Sequence, residues 1–128
     1  MNEYVIPFER VKMNDVETVG GKNASIGEMI SHLAALGVRV PGGFATTAAA
    51  YREFLAQGGL DERIRKALDG LDVDDVNELA TIGAQIRQWI LAAPFPAALE
   101  AAVLGEFRRL SNGAEIAVAV RSSATAED

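Results

Sequence analysis

Two cations in this chain stand where an anion would explain them. Lys22 follows Gly20-Gly21 and opens an apolar-striped segment that reads as a helix. A cation at a helix N-terminus opposes the macrodipole, while the exposed N–H groups there favour anions. A lysine beside glycine-freed N–H groups is therefore a candidate phosphate cradle, although the Gly-x-x-x-x-Gly-Lys-Ser/Thr pattern of a P-loop is missing. Arg121 ends the apolar run Ile116-Ala117-Val118-Ala119-Val120 and is followed by Ser122, Ser123 and Thr125, with no acidic neighbour before Glu127. Ligand sites gather at strand ends in open α/β sheets, and a planar guanidinium grips phosphate with two donors. Locally each cation also admits a plainer reading. Lys22 could be a surface lysine after a turn, and Arg121 could bond loop carbonyls or a distant carboxylate.

Other chemistry-bearing residues are weaker candidates. His32, the only histidine, lies mid-helix in Ser31-His32-Leu33, with no Asp or Cys at ligand spacing and no partner to tune or orient it. It reads as a half-exposed helix residue. Asp72, Asp74 and Asp75 lack the glycine and distal Glu of a calcium loop and read as the capped start of a helix. Trp89 falls at the edge of an apolar helical face and reads as packing. With no cysteine there is no disulfide, no thiolate metal site and no cysteine nucleophile.

These residues need elements to hold them. The 128 residues suffice for one domain with a hydrophobic core, and 49% hydrophobic against 23% charged residues excludes disorder as the main state. A formal net charge of −6 argues against duplex nucleic acid bound through bulk charge, but leaves room for a local cationic pocket. No positive leader with an apolar run opens the chain, and no stretch free of charge, Gly, Pro, Ser or Thr reaches membrane-spanning length. The expectation is a soluble cytoplasmic protein.

Tyr4-Val5-Ile6-Pro7-Phe8 predicts a short strand, with Pro7 at an edge. Asn23 or Ser25 is a candidate cap for a helix whose apolar face is Ile26, Met29, Ile30 and Leu33, stopped by Gly37. Val38-Arg39-Val40 predicts a strand running into Pro41-Gly42-Gly43. Thr46 or Thr47 then caps a helix with Tyr51, Phe54 and Leu55 inward, ended by Gly58-Gly59. A short helix from about Leu60 to Leu68 stops near Gly70. A longer one follows Asp72 to Asp75, with Val76, Leu79, Ile86 and Ile90 inward and its acidic start suiting the dipole. After Pro94-Phe95-Pro96, Leu99, Val103, Phe107 and Leu110 stripe a last helix closed by Ser111-Asn112-Gly113. The run 116–120, apolar at every position, predicts a strand covered on both faces. The fold class is mixed α and β, helix-rich with a few short strands, and the unpaired ending suggests the front part of something longer.

Two long segments carry a family resemblance. Val19-Gly-Gly-Lys-Asn-Ala-Ser-Ile-Gly-Glu-Met29 and Val118-Ala-Val-Arg-Ser-Ser-Ala-Thr-Ala-Glu-Asp128 resemble the two signatures of the pyruvate-phosphate-dikinase type of ATP-binding domain, in the right order. Met13-Asn-Asp-Val16, Val40-Pro-Gly-Gly-Phe-Ala-Thr-Thr47 and Gly83-Ala-Gln-Ile-Arg-Gln-Trp-Ile90 are similar to the phosphoenolpyruvate synthase branch. Pyruvate phosphate dikinases and rifampicin phosphotransferases share the Gly-Gly-Lys and Val-Arg-Ser elements and remain alternatives, as does a stand-alone nucleotide-binding module.

The resemblance implies that 1–128 is the N-terminal part of an ATP-grasp domain with ATP as ligand. It makes Lys22 and Arg121 phosphate contacts, with Gly20, Gly21 and Ser122 as further candidates. It implies Mg²⁺ and pyruvate for the whole enzyme, a homo-oligomer, and neither nucleic acid nor membrane as partner. The Mg²⁺ carboxylates, the phosphohistidine and the pyruvate barrel would lie beyond Asp128, so the segment alone is expected to be inactive.

Overall fold

A computed structural model describes residues 3–126. The chain forms two compact units, one of residues up to Tyr51 together with those from Ala97 onward, the other Arg52–Pro96. The first unit contains strand β1 (Val5–Pro7), the one-turn helix α1 (Val16–Val19), helix α2 (Gly21–Ala34), strand β2 (Phe44–Thr46), the start of helix α3 (Ala48–Ala56) and helix α6 (Ala97–Ser111). The second holds the rest of α3, helix α4 (Leu60–Leu68) and helix α5 (Val76–Ala92). No single described helix is long and apolar enough to cross a membrane.

β1 and β2 form an antiparallel pair in the register Val5–Thr46, Ile6–Ala45 and Pro7–Phe44. The ladder continues outward as Thr47 N donates to Tyr4 O and Phe8 N to Gly43 O, both at 3.0 Å. Pro7, without an N–H, occupies the end of its strand, where no donor is required. The strand expected at 38–40 lies six residues later, at 44–46. Leu36, Gly37 and Val38 spend their N–H groups on Leu33 O and Ala34 O in the turn that closes α2, so they have none for a ladder.

A larger correction concerns 116–120. This segment has no assigned helix or strand and joins no sheet, and Val120 is 91% exposed. Period-free apolarity signals a covered strand only where neighbours exist to cover it. Among the described residues the only ladder is β1 with β2.

The core of the first unit is Val11, Val19 and Ala45, with Ile6 and Phe8 packed against it. α2 meets this region through its small residues. Ala24 and Gly27 are buried, whereas Ile26, Ile30 and Leu33 are half-buried and Met29 is 49% exposed. The expected large apolar stripe is thus not the contact face. A Cβ at Gly27 would lie 2.3 Å from Val11 O, so only hydrogen fits there. Beside this contact Glu28 accepts from Met13 N at 3.1 Å and pairs with His32 Nε2 at 2.7 Å. The histidine does have an orienting partner, one helical turn back. That hydrogen bond is the largest cause holding the Glu28 carboxyl below its ordinary pKa, followed by the Met13 N–H. α6 follows its predicted stripe, with Leu99 buried and Val103, Phe107 and Leu110 half-buried.

In the second unit α4 keeps its predicted bounds, and Asp75 caps α5 by accepting from Glu78 N at 3.1 Å. Arg63 stacks 4.0 Å above the centre of the Trp89 ring, and Phe54 and Phe95 meet at 5.8 Å between centroids. The inward faces are less covered than expected. Val76 is 74% exposed, Leu79 and Tyr51 are exposed, and Ile86, Ile90, Phe54 and Leu55 are half-buried. Within this unit α4 is the main neighbour of α5.

Two outcomes follow. Gly27→Ala should lower stability by about 3 kcal/mol through overpacking, although Gly→Ala in an open helix interior is normally a gain. Gly105, in α6 with nothing within 4 Å of an added Cβ, is the control, and Gly105→Ala should raise stability by up to about 1 kcal/mol. Denaturant midpoints of the two variants should move in opposite directions.

The second outcome concerns acid. Because Glu28 is depressed in the folded state, its contribution is full above its unfolded pKa and lost as pH falls through the native value, in the region below about pH 4.5. His32→Gln should leave the melting temperature near neutral pH almost unchanged and make its acid decline shallower.

Candidate functional site

The two sequence motifs meet at the opening of α2. Gly20, buried, has φ 86° and ψ 163°, a backbone conformation open to glycine alone. Its N–H closes α1 on Val16 O at 2.8 Å, and its carbonyl accepts the first α2 bond, from Ala24 N at 3.0 Å. Residues Ser123 and Ala124 lie directly against it. A Cβ at position 20 would stand 2.1 Å from Ser123 Oγ, 2.9 Å from Ser123 Cβ and 3.0 Å from Ala124 N. Gly21 N donates to Ala124 O at 3.0 Å, and Asn23 N approaches Ser123 Oγ at 3.5 Å. Segments 100 residues apart are thereby joined.

This arrangement revises the expected cap. Neither Asn23 nor Ser25 caps α2. Gly20 occupies that position, with no side-chain bond, and the Asn23 amide donates back to Val19 O at 2.8 Å. The helix's orphan donors are met instead from the distant loop. It also revises how Gly20 and Gly21 would serve a phosphate, because both N–H groups already bond within the chain. What the glycines provide is room for the second motif to approach.

Lys22 and Arg121 are both exposed, each on a segment fixed by this junction. Lys22 adjoins Gly21, and Arg121 precedes Ser123 by two residues. Ser122 is exposed between Arg121 and the junction. Ser123, marked in the sequence only as a hydroxyl near Arg121, and Ala124, which carries no such mark, are the ones that join the motifs. The available signal was the steric pairing of a glycine with a serine, legible only once both are known to meet. Glu127 and Asp128, the last residues of the second motif, lie outside the described residues.

Chemically, the junction offers two flexible cations on rigidly joined backbones. Such a pair can neutralise an extended polyanion without using the helix N–H groups at Gly21 and Asn23. Among the described residues no three His, Cys, Asp or Glu side chains converge as metal ligands.

Comparison with known proteins agrees with the two motifs. The chain is 64% identical to a phosphoenolpyruvate synthase of Pseudomonas aeruginosa over 100% of its own length, 62% to that of Neisseria meningitidis over 99%, and 55% to that of Escherichia coli over 97%. It spans 16% of the length of each of these relatives. Residues 16–128 match the family described as pyruvate phosphate dikinase, AMP/ATP-binding domain. With the whole of both signatures inside that match and their backbones in contact, the chain belongs to the pyruvate phosphate dikinase AMP/ATP-binding domain family.

Proposed function

We infer that this chain supplies part of the ATP-binding portion of a phosphoenolpyruvate synthase. The overall reaction takes ATP, pyruvate and water to AMP, phosphoenolpyruvate and phosphate through a phosphohistidine on another domain. One observation carries the role of this segment: Gly20-Gly21-Lys22 and Arg121-Ser122-Ser123 are brought to one junction, with both cations exposed beside it. The high identity to phosphoenolpyruvate synthases favours that branch over other phosphohistidine-relay kinases.

On this reading Lys22 and Arg121 hold the ATP phosphates. Charge spreads onto the phosphoryl oxygens as the terminal groups transfer, and preorganised cations stabilise it. Ser122 is a further donor to the same phosphates. Gly20 and Gly21 act by shape, as the previous geometry requires. Mg²⁺, pyruvate and a homo-oligomeric, cytoplasmic enzyme belong to the same reading, with the acceptor chemistry outside 1–128.

Product analysis of the full-length protein tests the branch. ATP and pyruvate should give AMP, phosphoenolpyruvate and free orthophosphate in equal amounts. Pyrophosphate formed with a requirement for added orthophosphate would instead assign a phosphate-dependent dikinase.

Substitution tests the site. Lys22→Ala or Arg121→Ala in the full-length protein should slow pyrophosphoryl transfer from ATP by about 100-fold or more, the scale of losing a preorganised charge contact. Phosphoryl transfer from phosphoenolpyruvate onto the histidine should survive, as should the melting temperature. Labelled substrates separate the two half-reactions, and equal loss of both would give these residues a role in the fold.

A further inference from the structure

We propose that Ser123 is a positioning residue, which by seating on Gly20 sets Arg121 in place relative to Lys22. This rests on the reading of Lys22 and Arg121 as ATP-phosphate contacts. From Glu115 to Ala126, Ser123 is the one residue that is not exposed. The segment is thus exposed on both sides of a single seated side chain. That seat is filled to the limit, because the volume a Cβ at residue 20 would need is taken by Ser123 Oγ and Cβ and by Ala124 N.

The contact works through shape more than polarity. Asn23 N to Ser123 Oγ is 3.5 Å, at the outer edge of hydrogen bonding and weak by ordinary geometry. The Gly21 N to Ala124 O bond, at 3.0 Å, is a normal one and pins the neighbouring residue. Two chain steps separate Ser123 from Arg121, a reach of about 7 Å at full extension. Displacement at the seat therefore shifts the backbone from which the Arg121 side chain extends. A misplacement of about 1 Å in a transfer site can slow the reaction on the order of 100-fold.

The test uses the full-length protein and transfer from labelled ATP to the phosphohistidine. Ser123→Ala keeps the Cβ in its seat and should remain within about 3-fold of the parent, whereas Ser123→Val should fall by about 10- to 100-fold. Ser123→Thr, with one added methyl, should fall between them and serves if the valine variant does not fold. In an Arg121→Ala background the valine or threonine change should add less than about 3-fold, since residues acting as a unit are not additive. Transfer from phosphoenolpyruvate should be unchanged throughout.

A parental rate for both Ser123→Val and Ser123→Thr overturns the proposal. So does an additive loss on Arg121→Ala, or a Ser123→Ala loss as deep as that of valine. Arg121→Ala alone separates the two levels. If it transfers at the parental rate, the phosphate reading itself has failed. If it is impaired while the Ser123 variants are not, only the positioning role has failed.

Discussion

Everything that positions the candidate site depends on the close approach of other backbone to the small face of α2. Gly20, Ala24 and Gly27 recur at i, i+4 and i+7, and all three are buried. At one end the helix meets Ser123 and Ala124, and two turns along it meets the Val11 carbonyl. Both contacts exclude any side chain beyond hydrogen. Little apolar area is buried by glycine and alanine, so the gain lies in dispersion at short range and in the hydrogen bonds that close approach permits. α2 thereby takes its register from two partners at once, the N-terminal segment and the loop after residue 120. A helix located in this way is a stable base from which a lysine in its first turn can reach out.

The same junction decides what kind of anion site the helix opening can be. Free N–H groups at a helix start are the usual source of phosphate affinity. Here Gly21 N is bonded to Ala124 O, Asn23 N faces Ser123 Oγ, and Gly20 N belongs to α1. On the proposed reading, attraction comes from side-chain charge, through an ammonium and a guanidinium on opposite sides of the junction. The chain's net charge of −6 gives no general pull on anions, so selectivity would rest on these focused charges. Lys22 lies in the first turn of α2, where the dipole field disfavours a cation and favours an anion beside it.

Local signals were read well where they are local. Thr47 caps α3 by accepting from Ala50 N at 3.1 Å, Asp75 caps α5, and α4 runs over the residues its pattern marks. Failures came where the outcome depends on partners. Hydrophobic periodicity weights large residues, so Ile26, Met29, Ile30 and Leu33 outvoted Ala24 and Gly27, although close packing selects the small face. The residues 116–120 have strand composition, but a strand exists only with a neighbour to bond. β2 moved past Pro41 because the closing turn of α2 used the donors of the earlier run. At the site, residue type and motif marked Lys22 and Arg121. The coupling of Gly20 to Ser123 was invisible, since it is a three-dimensional fit between residues about 100 positions apart.

The missing ladder at 116–120 changes how Arg121 must be understood. A strand end would have held the arginine from upstream, as loops at sheet edges hold their ligand-binding residues. In this structure the upstream run is exposed and unladdered, and the described fixation lies downstream at Ser123 and Ala124. An arginine fixed from one side keeps freedom about the other, which suits the phosphate contact proposed for it. Laddering of 116–120 by a further strand would clamp it from both sides and cover the apolar side chains that are now bare.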